Sequence, residues 1–133
     1  MCIQDPISNL LTQIRNGYMS KKICISVFSS KMNLSIVKLL VKERFLERFE
    51  LINPDKVHAK ISIYLKYYGN GIPILKKITR ISKPSMRVYK KSTNILKVLN
   101  GFGIAIISTN KGLLTDTEAR DMMCGGEIVC TVE

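Results

Sequence analysis

Ile7, Leu10, Leu11 and Ile14 recur at the i, i+3, i+4, i+7 spacing of one helical face. Asp5-Pro6 stands where an N-cap and a first-turn proline belong, and Gly17 follows the last apolar position, so a short amphipathic helix is predicted between them. The period then changes to two. Ile23, Ile25 and Val27 alternate with Cys24, Ser26 and Phe28 as in a half-buried strand. Ser29-Ser30 can cap a second helix from about residue 31 to 44, with Leu34, Val37, Leu40 and Val41 as its buried stripe. Residues 45–52 and 60–67 read as strands joined by the Asn53-Pro54-Asp55-Lys56 turn. In the second of these, Ile61, Ile63, Leu65 and Tyr67 alternate with Lys60, Ser62, Tyr64 and Lys66, which predicts one buried face and one basic, aromatic face.

Tyr68-Gly69-Asn70-Gly71-Ile72-Pro73 interrupts the pattern. It divides an αβαββ lobe, residues 1–68, from a mostly β lobe with short helices, residues 74–133, with 69–73 as linker. In the second lobe, 74–82 and 86–90 read as strands about a Lys83-Pro84-Ser85 turn, and 94–99 as a single helical turn ended by Asn100-Gly101. Residues 104–108 form a short apolar strand. Thr115-Asp116-Thr117-Glu118 is a capping box that opens a helix running toward Gly125-Gly126, and 127–132 is a closing strand. The fold class expected is α+β, in two small lobes.

Composition sharpens this picture. A chain of 133 residues with 46% apolar and 23% charged positions has the makings of a folded domain rather than a disordered tail. Its 21 Lys and Arg against 10 Asp and Glu leave a formal charge of +11, which calls for a polyanionic partner: nucleic acid first, an anionic membrane surface second. The sixty residues from Lys56 to Thr115 hold twelve Lys or Arg and no acid, so this tract has no internal ion pairs. Against phosphates such a surface binds with steep salt dependence, because each contact releases condensed counterions. The start, residues 1–6, lacks the basic and apolar regions of a secretory leader, and no window reaches the length of a spanning helix.

Catalytic chemistry is poorly supplied. The four cysteines, at positions 2, 24, 124 and 130, include no C-x-x-C pair, and Cys24 and Cys130 lie in apolar runs that predict buried, inert thiols in a reducing compartment. His58 is the sole histidine. Acids are missing from the middle of the chain, which leaves no material for a general acid–base pair or a carboxylate metal site. The Gly101-Phe102-Gly103 motif precedes a strand instead of following one, the reverse of a dinucleotide loop. Neither enzyme activity, cofactor nor metal is expected. One loop is chemically apt for binding: Ser108-Thr109-Asn110-Lys111-Gly112 sets short hydroxyl and amide groups, a cation and a glycine between rigid elements, a set suited to the 2′-hydroxyls, base edges and phosphates of RNA. The same residue types also serve any tight turn.

Several motifs occur in one order along the chain: Asp5-Pro6-Ile7 with Ile14-Arg15-Asn16, Ser29-Ser30-Lys31, Arg80-Ile81-Ser82-Lys83-Pro84 with Arg87-Val88-Tyr89, Gly101-Phe102-Gly103-Ile104-Ala105, Ser108-Thr109-Asn110-Lys111-Gly112, Thr115-Asp116 with Glu118-Ala119-Arg120, and Gly125-Gly126-Glu127-Ile128. The set resembles the bacterial-type small-subunit ribosomal protein S8 family from end to end. The resemblance implies a structural protein that binds the central domain of small-subunit rRNA early in assembly, as a monomer beside neighbouring small-subunit proteins. The expected location is the cytoplasmic ribosome, with an organelle ribosome the alternative, and no membrane is involved. A translational regulator binding a similar stem in its own operon mRNA is the alternative function.

Residue by residue, the resemblance assigns RNA binding to Ser108, Thr109, Asn110, Lys111 and Gly112, to Gly125, Gly126 and Glu127, and to Lys31 and Tyr89. Lys83, Arg87, Lys90 and Lys91 are candidate phosphate contacts. The chain departs from the family pattern at Asn110, where Ser is usual, and at Ser85, where Gly is usual and a left-handed backbone would strain Ser. Thr131, Glu133 and the run Asp121-Met122-Met123-Cys124 are also atypical. Stacking by Tyr64, Tyr67 and Tyr68 beside Lys60 and Lys66 is a weaker RNA-binding reading.

Overall fold

A computed structural model describes residues 5–53, 57, 59–95 and 103–133. The chain divides into two compact units, Met1–Leu75 and Lys76–Glu133.

The N-terminal unit runs α1 (Pro6–Met19), β1 (Cys24–Phe28), α2 (Lys31–Lys42), β2 (Leu46–Ile52), β3 (Lys60–Leu65), the αβαββ order expected. Its antiparallel sheet has the order β1-β3-β2. Leu10, Leu11 and Ile14 of α1 are buried, as are Ile25, Val27, Ile61 and Ile63 of the strands that α1 meets, each large side chain contributing roughly 1.5–3 kcal/mol of transfer free energy. Proline occupies the first turn of α1, and the Asp5 carboxylate accepts from the Ser8 hydroxyl at 2.5 Å.

Gly17 does not stop the helix. A Cβ there would lie 2.8 Å from Ile25 Cγ2 and 3.0 Å from Leu65 Cδ1, so glycine lets α1 close onto the sheet, and the helix continues for two more residues. The first of these is Tyr18, whose hydroxyl donates to Phe45 O at 2.8 Å and accepts from Lys66 N at 3.2 Å. Burial pushes its pKa up to about 12.

In α2, Ser30 caps the helix by accepting from Asn33 N at 3.1 Å, as expected. The buried stripe is rotated from the one expected: Asn33, Ile36, Val37, Leu39 and Leu40 are buried, while Leu34 and Val41 are only partly covered. Cys24 is another correction. It points to the open face of the sheet and is exposed, whereas Cys130 is buried and desolvation pushes its thiol up to about 12. Residues 68–73 double back on β3: Tyr68 N donates to Ile72 O at 2.8 Å and Gly71 N to Tyr68 O at 2.9 Å, and Tyr67 bridges Pro73. The Pro54–Lys56 part of the β2–β3 turn lies outside the described residues.

The C-terminal unit is a sheet of order β4-β8-β6-β7, with β5 also on β8. Its strands are β4 (Ile78–Arg80), β5 (Tyr89–Lys90), β6 (Ile104–Thr109), β7 (Gly112–Thr115) and β8 (Gly126–Val132), and α3 (Asp116–Asp121) follows β7. Ala105, Ile107 and Ile128 pack under Ala119 of α3 and Ile95, with Ile81, Val88 and Leu114 at the margin.

The strands expected over 74–82 and 86–90 are cut to three and two residues. At the C-terminal end of β4 an irregularity of β8 at Val129 slips the β6 register between Ile106 and Ile107, and the Val129 carbonyl accepts the amides of both Ile81 and Ser82, so regular pairing stops there. The helical turn expected at 94–99 is displaced to a 3-10 turn at Ser92–Asn94, and residues 96–102 lie outside the described ones. Thr115 accepts from Glu118 N at 3.2 Å and opens α3, which is shorter than expected. It ends in a Schellman closure, with Cys124 N on Ala119 O and Met123 N on Arg120 O, and Met123 is left-handed at φ 54°.

Candidate nucleic-acid interface

Strands β6 and β7 form a hairpin in which Thr109 faces Gly112 and only Asn110 and Lys111 lie between them. Neither central residue has positive φ, while Gly112 sits at φ +105°, a value that disfavours any Cβ. The expected loop is thus a tight bend, and the strand β7 that carries it into α3 escaped sequence reading because Gly112-Leu113-Leu114-Thr115 is too short to show a period. Thr109 holds the bend: its hydroxyl donates to Gly112 O at 2.8 Å and accepts from Lys111 N at 3.1 Å. The Ser108 hydroxyl, the Asn110 amide and the Lys111 ammonium have no partner among the described residues, and Asn110 and Lys111 are exposed. Asn110 therefore keeps a donor and an acceptor where the family pattern has a hydroxyl.

The other predicted residues meet this bend through the start of β8. Glu127 pairs with Ser108 of β6 on one side and Tyr89 of β5 on the other, so the three side chains stand in one row on one face of the sheet. The two preceding glycines make that row possible. A Cβ on Gly126 would collide with Ser108 O, and one on Gly125 would come within 2.7 Å of Lys90 O and 2.9 Å of Lys91 Cα. Only glycine allows β8 to run this close to both neighbours. A cleft of about 650 Å³ opens here, lined by Tyr89, Lys90, Lys91, Ser92, Met123, Gly125 and Gly126.

Electrostatics divide the cations into two kinds. Ser82 Oγ donates to Glu127 Oε1 at 2.5 Å, Arg87 Nη1 donates to the same oxygen at 2.9 Å, and Val88 N donates back to Ser82 Oγ at 3.2 Å. Burial of this carboxyl opposes ionisation, yet the hydrogen bonds from Ser82 and Arg87 and the charges of Arg87 and Arg80 outweigh it and hold its pKa below the usual carboxylate range. Glu127 is engaged inside the protein, and Arg87 is partly neutralised by it. By contrast Lys83, Lys90, Lys91 and Lys111 are exposed and make no ion pair among the described residues.

Lys83 begins a tight turn closed by reciprocal backbone bonds with Met86, and Ser85 within it is not left-handed, so that departure from the family pattern carries no strain. Tyr89 is 67% exposed, available as a stacking surface and not part of the core. Lys31 is exposed on the first turn of α2 and belongs to the N-terminal unit.

Behind the bend, the buried Asp116 carboxylate accepts from Ala105 N at 3.4 Å and pairs with Arg120 at 3.2 Å, fixing α3 to the root of β6. Sequence reading did not single out this brace. The acid and base at i, i+4 after the capping box were its only signal. The tyrosine-stacking reading of the first unit finds little room. The Arg48 guanidinium already covers Tyr64 at 3.9 Å, and Tyr67 packs edge-on against Tyr18 and donates to Lys22 O at 2.5 Å, which leaves Tyr68 exposed.

Exposed lysines, an exposed tyrosine, and hydroxyl and amide groups without a partner among the described residues stand at one end of a braced sheet, the chemistry suited to a binding protein for a folded polyanion. The sequence model described as Ribosomal protein S8 matches residues 5–132, and the chain belongs to that family, whose members are structural and not catalytic. It is similar to the small ribosomal subunit protein uS8 of Chromobacterium violaceum, with 45% identity over 99% of both chains. The proteins of that name from Blochmanniella pennsylvanica and Baumannia cicadellinicola are each 43% identical over the same shares.

Proposed function

We propose that this chain is a structural component of the small ribosomal subunit on the cytoplasmic ribosome, binding the central domain of small-subunit rRNA as a single copy beside neighbouring ribosomal proteins. The observation that carries the reading is the division of labour at the β6–β7 bend. Thr109 spends its hydroxyl on the turn, while the Ser108 hydroxyl, the Asn110 amide and the Lys111 ammonium have no partner among the described residues and stand on a segment that Gly126 and Asp116 hold rigid. A rigid donor–acceptor set discriminates shape in the shallow minor groove of an irregular RNA helix, where a mobile lysine tail does not. Lys111, Lys90, Lys91 and Lys83 serve the phosphates, and Tyr89 offers a ring to an unstacked base. Glu127 acts by positioning Arg87 and Ser82, and Gly112, Gly125 and Gly126 act through backbone approach. Lys31 is a further phosphate contact from the N-terminal unit.

Titrating the full chain against a transcript of the rRNA central domain and against random RNA of equal length tests this. Preference for the transcript that Ser108→Ala and Asn110→Ala reduce, with little change on random RNA, supports the reading. Equal losses on both contradict it, and tighter binding to a stem from the chain's own operon mRNA would favour the regulatory alternative.

A further inference from the structure

The N-terminal sheet ends in an open edge that the RNA-binding reading does not use. Strand β1 is terminal in the order β1-β3-β2. Leu65 N donates to Ile23 O and Ser29 N to Ala59 O, each at 2.9 Å, so with the β1–β3 register the odd-numbered residues bond to β3, and Cys24, Ser26 and Phe28 direct their amides and carbonyls away from the sheet. The outward Phe28 carbonyl is capped by Asn33 Nδ2 at 3.2 Å. Those of Cys24 and Ser26 have no partner among the described residues. Between this edge and α1 lies a cleft of about 360 Å³, lined on the helix side by Gln13, Asn16 and Ser20 and on the strand side by Lys22, Cys24 and Ser26.

From this geometry we infer that the β1 edge is a docking site for an extended segment of a neighbouring protein, which adds to the sheet as a fourth strand and carries an acidic residue opposite Lys22. Unpaired groups in strand register accept another backbone in strand register, the general basis of strand addition. Three exposed apolar residues flank the edge: Met19 at 77%, Ile23 at 76% and Phe28 at 51% exposure. Apolar side chains of an alternating peptide match these, and a nucleic-acid backbone has no row of alternating N–H and C=O groups to pair with Cys24 and Ser26. Lys22 is the sole charged residue of the cleft lining, which sets the sign of the partner's charge. The inference rests on the proposed place of the chain among other ribosomal proteins, but its test reads protein contact and not RNA affinity.

The test places the photo-crosslinking residue benzoylphenylalanine at position 26 of the full chain and irradiates assembled small subunits. One discrete protein adduct that survives ribonuclease, and that Lys22→Glu diminishes about tenfold, is the expected result. Ser26→Pro, which removes only an outward amide and is tolerated on an edge strand, is expected to keep the melting temperature of the free chain and to abolish slow exchange of the Cys24 amide in the subunit. Adducts to rRNA alone, no adduct, or a Cys24 amide that exchanges equally fast in free and assembled chain each overturn the inference. A Lys22→Glu chain that keeps the protein adduct but loses rRNA affinity also overturns the inference, whereas failure of the RNA-binding reading would show in the Ser108→Ala and Asn110→Ala titrations and leave the adduct in place.

Discussion

Gly126→Ala adds one methyl group, and the structure assigns it an outsized effect. That methyl would collide with Ser108 O, well inside the closest approach real Cβ atoms make, and the obstacle is backbone with no rotamer to swing aside. Strand β8 must therefore withdraw from β6 by about 1 Å at the Ser108–Glu127 pair, weakening the ladder where the bend is anchored. Overpacking of this kind costs about 1–3 kcal/mol, on the order of 10 °C in melting temperature at the middle of that range. Affinity for the cognate RNA should fall by at least tenfold, because Ser108, Tyr89 and Glu127 no longer share one row. Thermal unfolding followed by circular dichroism, and filter-binding titration at fixed salt, provide both readings. Gly69→Ala is the control: it meets nothing within 4 Å and should be neutral. A Gly126→Ala chain that melts within about 2 °C of the parent and binds the cognate RNA as tightly would refute the close-approach argument.

Other outcomes separate the remaining roles. Lys111→Ala should weaken binding to all RNAs alike and lower the slope of log affinity against log salt by about one unit, measured over a salt series. Thr109→Val should lower thermal stability by about 1 kcal/mol through loss of the bend's internal hydrogen bonds, whereas Ser108→Ala should leave the melting temperature unchanged and reduce only discrimination. Because the Glu127 carboxyl is held below its ordinary value of 4.5, its stabilising contribution is complete above that pH and is lost as pH falls through the lowered pKa. Glu127→Gln should flatten this acid limb of the stability–pH curve, read by denaturant unfolding at stepped pH.

Much of the fold was legible because its signals are local. Pro6 at a helix start, Ser30 and Thr115 as N-caps and the two-residue alternation of Ile25 and Val27 all act within a few residues. The failures arose where a distant neighbour decides. Gly17 looks like a stop in sequence, and becomes an approach point once Ile25 and Leu65 are beside it. The α2 stripe turned because the sheet, not helical periodicity alone, selects which face is covered. Short strands such as β5 and β7 exist only through their pairing with β8 and β6. At the site, sequence supplied the residue types but not their allotment: nothing in Ser108-Thr109-Asn110 reveals that the Thr109 hydroxyl is the one consumed by the turn, or that Arg87 is bound to Glu127 while Lys90 has no ion pair among the described residues.

The most direct measurement of the central claim is ultraviolet crosslinking of the chain to RNA in cells, followed by sequencing of the crosslinked fragments. Crosslinks are expected to concentrate in one helix of the small-subunit rRNA central domain, with the adducted peptides spanning Ser108–Gly112 and Tyr89–Lys91. Crosslinks dispersed over unrelated messages, or adducted peptides that lie away from both segments, would contradict it.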